Sequence, residues 1–218
     1  MTETWSDMES IGPGIYIYKN ILTKDMNIIN RLEKVLNGNM FDQFSWGTAQ
    51  VGYESVMLDY RDCYDFKYKK EDIKSDTSLG SKVLQDIWQE VYDRQKPAAD
   101  HYCKEHKVGE LKYWEAFNFV KYEVGQHFQE HSDHGWSYNC TVSLVNYIND
   151  DYEGGELYFP KWDITFSPDA GDLVVFPSNF MYSHKAMPVT SGTKYSIVTM
   201  LDYSKKYHGR EMYRETVD

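Results

Sequence analysis

The densest group of chemistry-bearing side chains is His131-Ser132-Asp133, with a further imidazole at His184, 51 residues beyond the aspartate. In an extended backbone, residues two apart project to one side, so His131 and Asp133 can grip one ion while Ser132 points away. A third ligand then has to come from a different strand, and His184 is the candidate. Two imidazoles and one carboxylate on a face of an octahedron leave three positions open. That is the arrangement of non-haem Fe(II) oxygenases, which admit a chelating cosubstrate and dioxygen. Zinc is more often tetrahedral and closed, so a zinc hydrolase is the competing metal reading.

An isolated His-x-Asp carries little weight in a chain with seven histidines. His127, His131 and His134 could instead form a comb on one helix face, but Gly125, Ser132 and Gly135 make a poor helix. His101, His106 and His208 stand among charged residues and are expected to be solvated. His134 is expected to support the site or to belong simply to the loop.

The surrounding spacing narrows the choice. Tyr122, Gly125, Phe128, His131 and Asp133 form the string Y-x-x-G-x-x-F-x-x-H-x-D. Tyr147-Ile148-Asn149-Asp150-Asp151-Tyr152-Glu153-Gly154-Gly155-Glu156-Leu157 follows, then Gly171-Asp172, His184, Pro188-Val189, Gly192 and Lys194-Tyr195. The series, over about residues 110–203, resembles the prolyl 4-hydroxylase-like 2-oxoglutarate/Fe(II)-dependent dioxygenases. The resemblance implies a double-stranded β-helix (jelly-roll, cupin-like) core. It also implies His131, Asp133 and His184 as iron ligands, and Lys194 as the cation facing the far carboxylate of 2-oxoglutarate. Tyr122 and Tyr147 match positions that present hydroxyls to this cosubstrate. The implied cofactors are Fe(II), 2-oxoglutarate and dioxygen, with ascorbate as an auxiliary reductant. The implied substrate is a prolyl residue of a peptide or protein. Charge bookkeeping agrees: an ion at +2, Asp133 at −1 and a dianion sum to −1, which one buried ammonium neutralises. Hydroxylation of another side chain or a small molecule uses the same core, and a non-catalytic cupin-like binding module remains the alternative outside enzymes. Gly154-Gly155 is expected to be a turn and no more.

These residues must be held by elements. Gly14 to Tyr18 reads as a strand, and Leu22, Met26, Ile29, Leu32, Val35 and Leu36 recur at helical spacing. Leu84, Ile87, Trp88, Val91 and Tyr92 mark a second helix, which Pro97 ends or kinks. Residues 62–75 mix charges without a period and are expected to be a mobile loop, with a role as a lid over a peptide. After Gly109 short β-rich segments follow: Ala116–Tyr122, Thr141–Ile148, Glu156–Phe159, Leu173–Phe176 and Lys194–Leu201. The fold class is α+β, with N-terminal helices packed on one sheet. A single domain is expected over residues 1–218, as helical support over 1–109 and a metal-binding core over about 110–203. Trp114, Trp136 and Trp162 are expected near the mouth of the site.

Composition sets the outer limits. The chain has 218 residues, 41% hydrophobic and 16% aromatic, enough for a sizeable core. Its net charge of −11 disfavours extended nucleic-acid binding. Three cysteines without a CxxC pair encode no disulfide framework, which fits a reducing compartment. No run of 18 apolar residues and no cationic leader is present, so a soluble cytoplasmic protein without membrane attachment or signal peptide is expected.

Overall fold

The structure is a computed structural model that describes residues 5–37, 44–52, 55–69, 78–135 and 139–208. The N-terminal half contributes strands β1 (Met8–Gly12), β2 (Ile15–Tyr18), β3 (Gly47–Thr48), β4 (Arg61–Asp62) and β5 (Tyr64–Tyr68). It also holds helices α1 (Ile28–Leu36) and α2 (Leu79–Glu105). Next come β6 (Tyr113–Trp114), β7 (Phe117–Tyr122), β8 (His127–His131), β9 (Val142–Tyr147), β10 (Glu153–Gly154) and β11 (Leu157–Phe159). The chain closes with β12 (Ile164–Phe166), β13 (Leu173–Pro177), β14 (His184–Ala186), β15 (Val189–Ser191) and β16 (Lys194–Asp202).

All pairings are antiparallel. The large sheet runs β1-β2-β13-β9-β16-β7-β5-β3, with β6 added to β16, and the smaller runs β12-β11-β14-β8-β4. Strand parity explains why both faces of the large sheet are buried. Phe117, Phe119, Leu144, Leu173, Val175 and Ile197 face the helices and meet Leu32, Leu84, Ile87, Trp88 and Val91. The intervening residues Ile15, Ile17, Val145, Tyr147, Val174 and Phe176 meet Leu157 and Phe159 of the small sheet. The result, among the described residues, is a jelly roll with helices α1 and α2 on the outside of one sheet, as expected.

Several local expectations change. Pro97 lies inside α2 and does not end it. The stretch after Asp62 is not a loop at first: β4 joins β8, and β5 joins β7, so the register to those strands overrides the missing period. The remainder of the lid stretch, residues 70–75, lies outside the described residues. Strand β1 was unreadable because its sequence, MESIG, is a half-exposed edge without alternation. His127 and His131 both lie on a strand, which removes the helical comb. Among the described residues no helix is long and apolar enough to cross a membrane.

Candidate metal centre

The two histidines meet because of register. His131 ends β8, His184 begins β14, and the two are direct cross-strand partners with ring centroids 4.4 Å apart. The strand stops at His131, so Asp133 reaches the site from the bend that follows and not from a continued strand. Its Oδ1 lies 3.6 Å from His131 Nε2, and its Oδ2 lies 3.9 Å from His184 Nε2. One ligand atom from each of the three falls within 4.8 Å of the others.

The imidazoles are oriented for a metal. His131 Nδ1 lies 2.8 Å from the Gln129 carbonyl, and His184 Nδ1 lies 3.1 Å from that of Tyr182. A carbonyl only accepts, so Nδ1 carries a proton in each ring and Nε2 is the nitrogen left to face Asp133. Burial, reinforced by the neighbouring His184 ring, pushes the His131 pKa down to about 3, so this ring stays neutral. Phe128 stacks on His131 at 3.5 Å between centroids, while Phe159 and Phe176 flank His184 at 5.6 and 4.9 Å. Arg61 lies over Phe128 at 4.9 Å and pairs with Asp65 at 3.1 Å.

A second polar group is set into the same interior. Lys194 opens β16 opposite Tyr122, and Ser196, on the same face, lies opposite Tyr147. Lys194 is 3% exposed, and its Nζ donates to the Gly155 carbonyl at 2.6 Å. The Tyr147, Tyr122 and Tyr152 rings wall the ammonium at 4.9, 5.3 and 6.0 Å. Among the described residues it has no ion pair. Burial lowers its pKa to about 8, partly offset by Glu156. Burial also raises the Tyr122 and Tyr147 phenols well above their ordinary value, so both remain protonated. A buried cation lacking a carboxylate is a site short of one anion. That fits a dicarboxylate ligand, and two imidazoles with one carboxylate fit Fe(II).

The six residues named from sequence thus fall into two groups, the His131–Asp133–His184 cluster and the Lys194 pocket with Tyr122 and Tyr147. Gly155 was underrated: its carbonyl holds the lysine, and its backbone has a positive φ of 67° that favours glycine. Tyr152, Phe128, Arg61 and Ser143 were missed. Ser143 shares a fully buried strand with the equally polar Asn146, so its parity with Tyr147 does not by itself single it out. Trp114 is far from the expected mouth and packs on Tyr92 of α2. Trp162 bonds the Met181 carbonyl at 3.0 Å in the short turn before His184, and Trp136 lies outside the described residues. His101 is half-buried and bonds Tyr18 at 2.9 Å; His106 is exposed, as expected, with its ring against Tyr102, and His208 is half-buried and pairs with Asp202 at 3.0 Å. His134 is tied to the loop, its backbone N–H donating to Ser178.

Residues 117–201 match the family model of the 2OG-Fe(II) oxygenase superfamily. A putative prolyl 4-hydroxylase of Acanthamoeba polyphaga mimivirus is 31% identical over 46% of this chain and 49% of its own length. A PKHD-type hydroxylase of Gloeothece citriformis is 33% identical over 35% of this chain and 37% of its own. The matched stretch therefore spans about half, or less, of these relatives. The fold is shared with a Trichoplax adhaerens prolyl hydroxylase solved with a hypoxia inducible factor peptide fragment (TM-score 0.69, 14% identity, 89% of this chain and 86% of that one). It is also shared with a Pseudomonas putida prolyl-4-hydroxylase (0.61, 18%, 87% and 92%). A viral collagen prolyl hydroxylase from Paramecium Bursaria Chlorella virus-1, in complex with 2OG, follows (0.56, 14%, 87% and 96%).

Proposed function

We propose that this chain, whose residues 117–201 form a 2OG-Fe(II) oxygenase domain, hydroxylates prolyl residues of a peptide or protein at the expense of 2-oxoglutarate and dioxygen. The observation that carries the proposal is the combination of an inward-facing His131–Asp133–His184 cluster with Lys194, a buried ammonium that has no ion pair among the described residues. Bound Fe(II) would supply dioxygen activation coupled to decarboxylation of the keto acid. The protein's own part is placement. His131, Asp133 and His184 would hold the ion through Nε2 and one carboxylate oxygen. Lys194 would hold the far carboxylate of 2-oxoglutarate, with the Tyr122, Tyr147 and Tyr152 rings excluding water around it. Asp133 itself speaks for hydroxylation, because a small residue there would leave room for a halide ligand.

The prolyl substrate is supported by the relatives' names and by Lys194, since this resemblance favours lysine where many related oxygenases carry arginine. We place the whole activity in a single domain over residues 1–218, supported by the way strands of both halves interleave in one sheet. The three free cysteines fit a reducing, cytoplasmic setting, and ascorbate would serve as an auxiliary reductant.

The experiment is incubation with Fe(II), 2-oxoglutarate and a panel of proline-rich peptides, read by mass spectrometry and by succinate release. One added oxygen on proline is expected, with both signals abolished in His131→Ala and Asp133→Ala. Oxygen on lysine would overturn the substrate class and leave the chemistry standing. If folded wild type released no more succinate than these variants, the binding-module reading would replace the enzyme.

A further inference from the structure

Asp133 does not use its two oxygens equally. Oδ2 accepts from the Ser143 hydroxyl at 2.5 Å, the short charge-assisted range, whereas Oδ1 has no hydrogen bond among the described residues. Ser143 is fully buried on β9, on the strand face that also carries Val145 and Tyr147. Its Oγ lies 2.7 Å from Ser178 Oγ, and Ser178 is fully buried as well. The direction of these bonds follows from proton counting. A carboxylate only accepts, so the one proton of Ser143 goes to Asp133, and Ser178 must therefore donate to Ser143. Each donor in such a row polarises the next, and the row ends on Oδ2 alone. The sequence between Asp133 and Ser143 does not fix this contact. It arises because Ser143 lies opposite Phe176 on β13, which brings Ser178 alongside.

We infer that Ser143 is a positioning residue that holds Asp133 Oδ2 out of metal coordination, so that Oδ1 is the single ligating oxygen and the position a second oxygen would fill stays open for the cosubstrate. This rests on the functional reading above. An oxygen already engaged in a short hydrogen bond is the weaker metal donor, while the bare Oδ1 is the stronger. A facial set of three ligands works only if the carboxylate takes one position. Two oxygens of Asp133 on one ion would compete with the chelating end of 2-oxoglutarate.

Denticity separates this role from ordinary ligand support. Support alone would make Ser143→Ala weaken metal binding, by about tenfold to a hundredfold for outer partners of ligands, without changing cosubstrate affinity at saturating metal. The inferred role gives the opposite split. Mn(II) is titrated first by calorimetry, then 2-oxoglutarate is titrated into the Mn(II)-saturated protein, for wild type, Ser143→Ala and Ser143→Thr. For Ser143→Ala, Mn(II) affinity close to wild type and 2-oxoglutarate affinity about tenfold weaker or more are expected, with Ser143→Thr restoring the latter. Wild-type 2-oxoglutarate affinity in Ser143→Ala at saturating Mn(II) overturns the inference, whatever happens to the metal. If the alanine variant does not fold, Ser143→Cys, similar in volume but a feeble donor, is judged by the same criterion. Wild type that binds Mn(II) yet never 2-oxoglutarate would defeat the functional reading itself, a different result from wild type and variant binding alike.

Discussion

Lys194 holds a positive charge where water does not reach, and two pH effects of opposite sign follow. Its pKa is lowered from 10.5 to about 8 by burial, so between those values the unfolded chain binds a proton that the folded one does not. Stability then rises with pH across that window, because the buried charge is fully present below pH 8 and is relieved as it titrates. Cosubstrate binding runs the other way, since a carboxylate needs the protonated amine. 2-Oxoglutarate affinity is expected to be flat below pH 8 and to fall above it by about tenfold per unit. In Lys194→Arg the fall should vanish, because guanidinium does not titrate there; calorimetry from pH 7 to 9.5 checks both. Gly155→Ala is the second test at this scale. An added Cβ would lie 3.1 Å from Lys194 Cδ on a backbone with φ of 67°, so a loss of about 1–2 kcal/mol by denaturant titration and weaker cosubstrate binding are expected. Residues of this kind divide by legibility. His131, Asp133, His184 and Lys194 could be named because type and spacing within a few segments carry their chemistry. Ser143 and the Gly155 carbonyl act through strands and turns remote in sequence, so only the fold discloses them.

Helix α2 shows what periodicity can and cannot tell at the level of elements. Leu84, Ile87, Trp88 and Val91 mark a face that has to be covered, and the sheet residue Phe117 covers it, stacked on Trp88 with centroids 5.1 Å apart. Trp88→Ala is expected to lower stability by about 3–5 kcal/mol, as a large buried ring leaves a cavity; chemical denaturation reads this directly. The same pattern rule fails for β4 and β10, two residues each, whose strand character comes from their partners. It fails for β8 too, where burial does not alternate and His131 at the strand's end belongs to the cluster. Of the two outcomes open at Pro97, the helix continues through it. A long helix held by packing along its length tolerates one missing hydrogen bond.

Across the whole molecule, the helical-support description of residues 1–109 understates their contribution, since β1, β2, β3 and β5 extend the large sheet and β4 borders the small one. The jelly roll was legible from short β-rich segments and motif order, whereas this interleaving was not, because pairing between distant strands leaves no local trace. The two sheets place the histidine pair on one and the lysine on the other, so the proposed chemistry depends on the sandwich as an assembled object. The most direct measurement is visible absorption of the anaerobic protein after adding Fe(II) and then 2-oxoglutarate. A weak charge-transfer band should appear in wild type only when both are present, be lost in Asp133→Ala, and need more 2-oxoglutarate in Lys194→Ala. Correctly folded wild type that stays colourless at saturating Fe(II) and 2-oxoglutarate would contradict the assignment of these residues to iron and its cosubstrate.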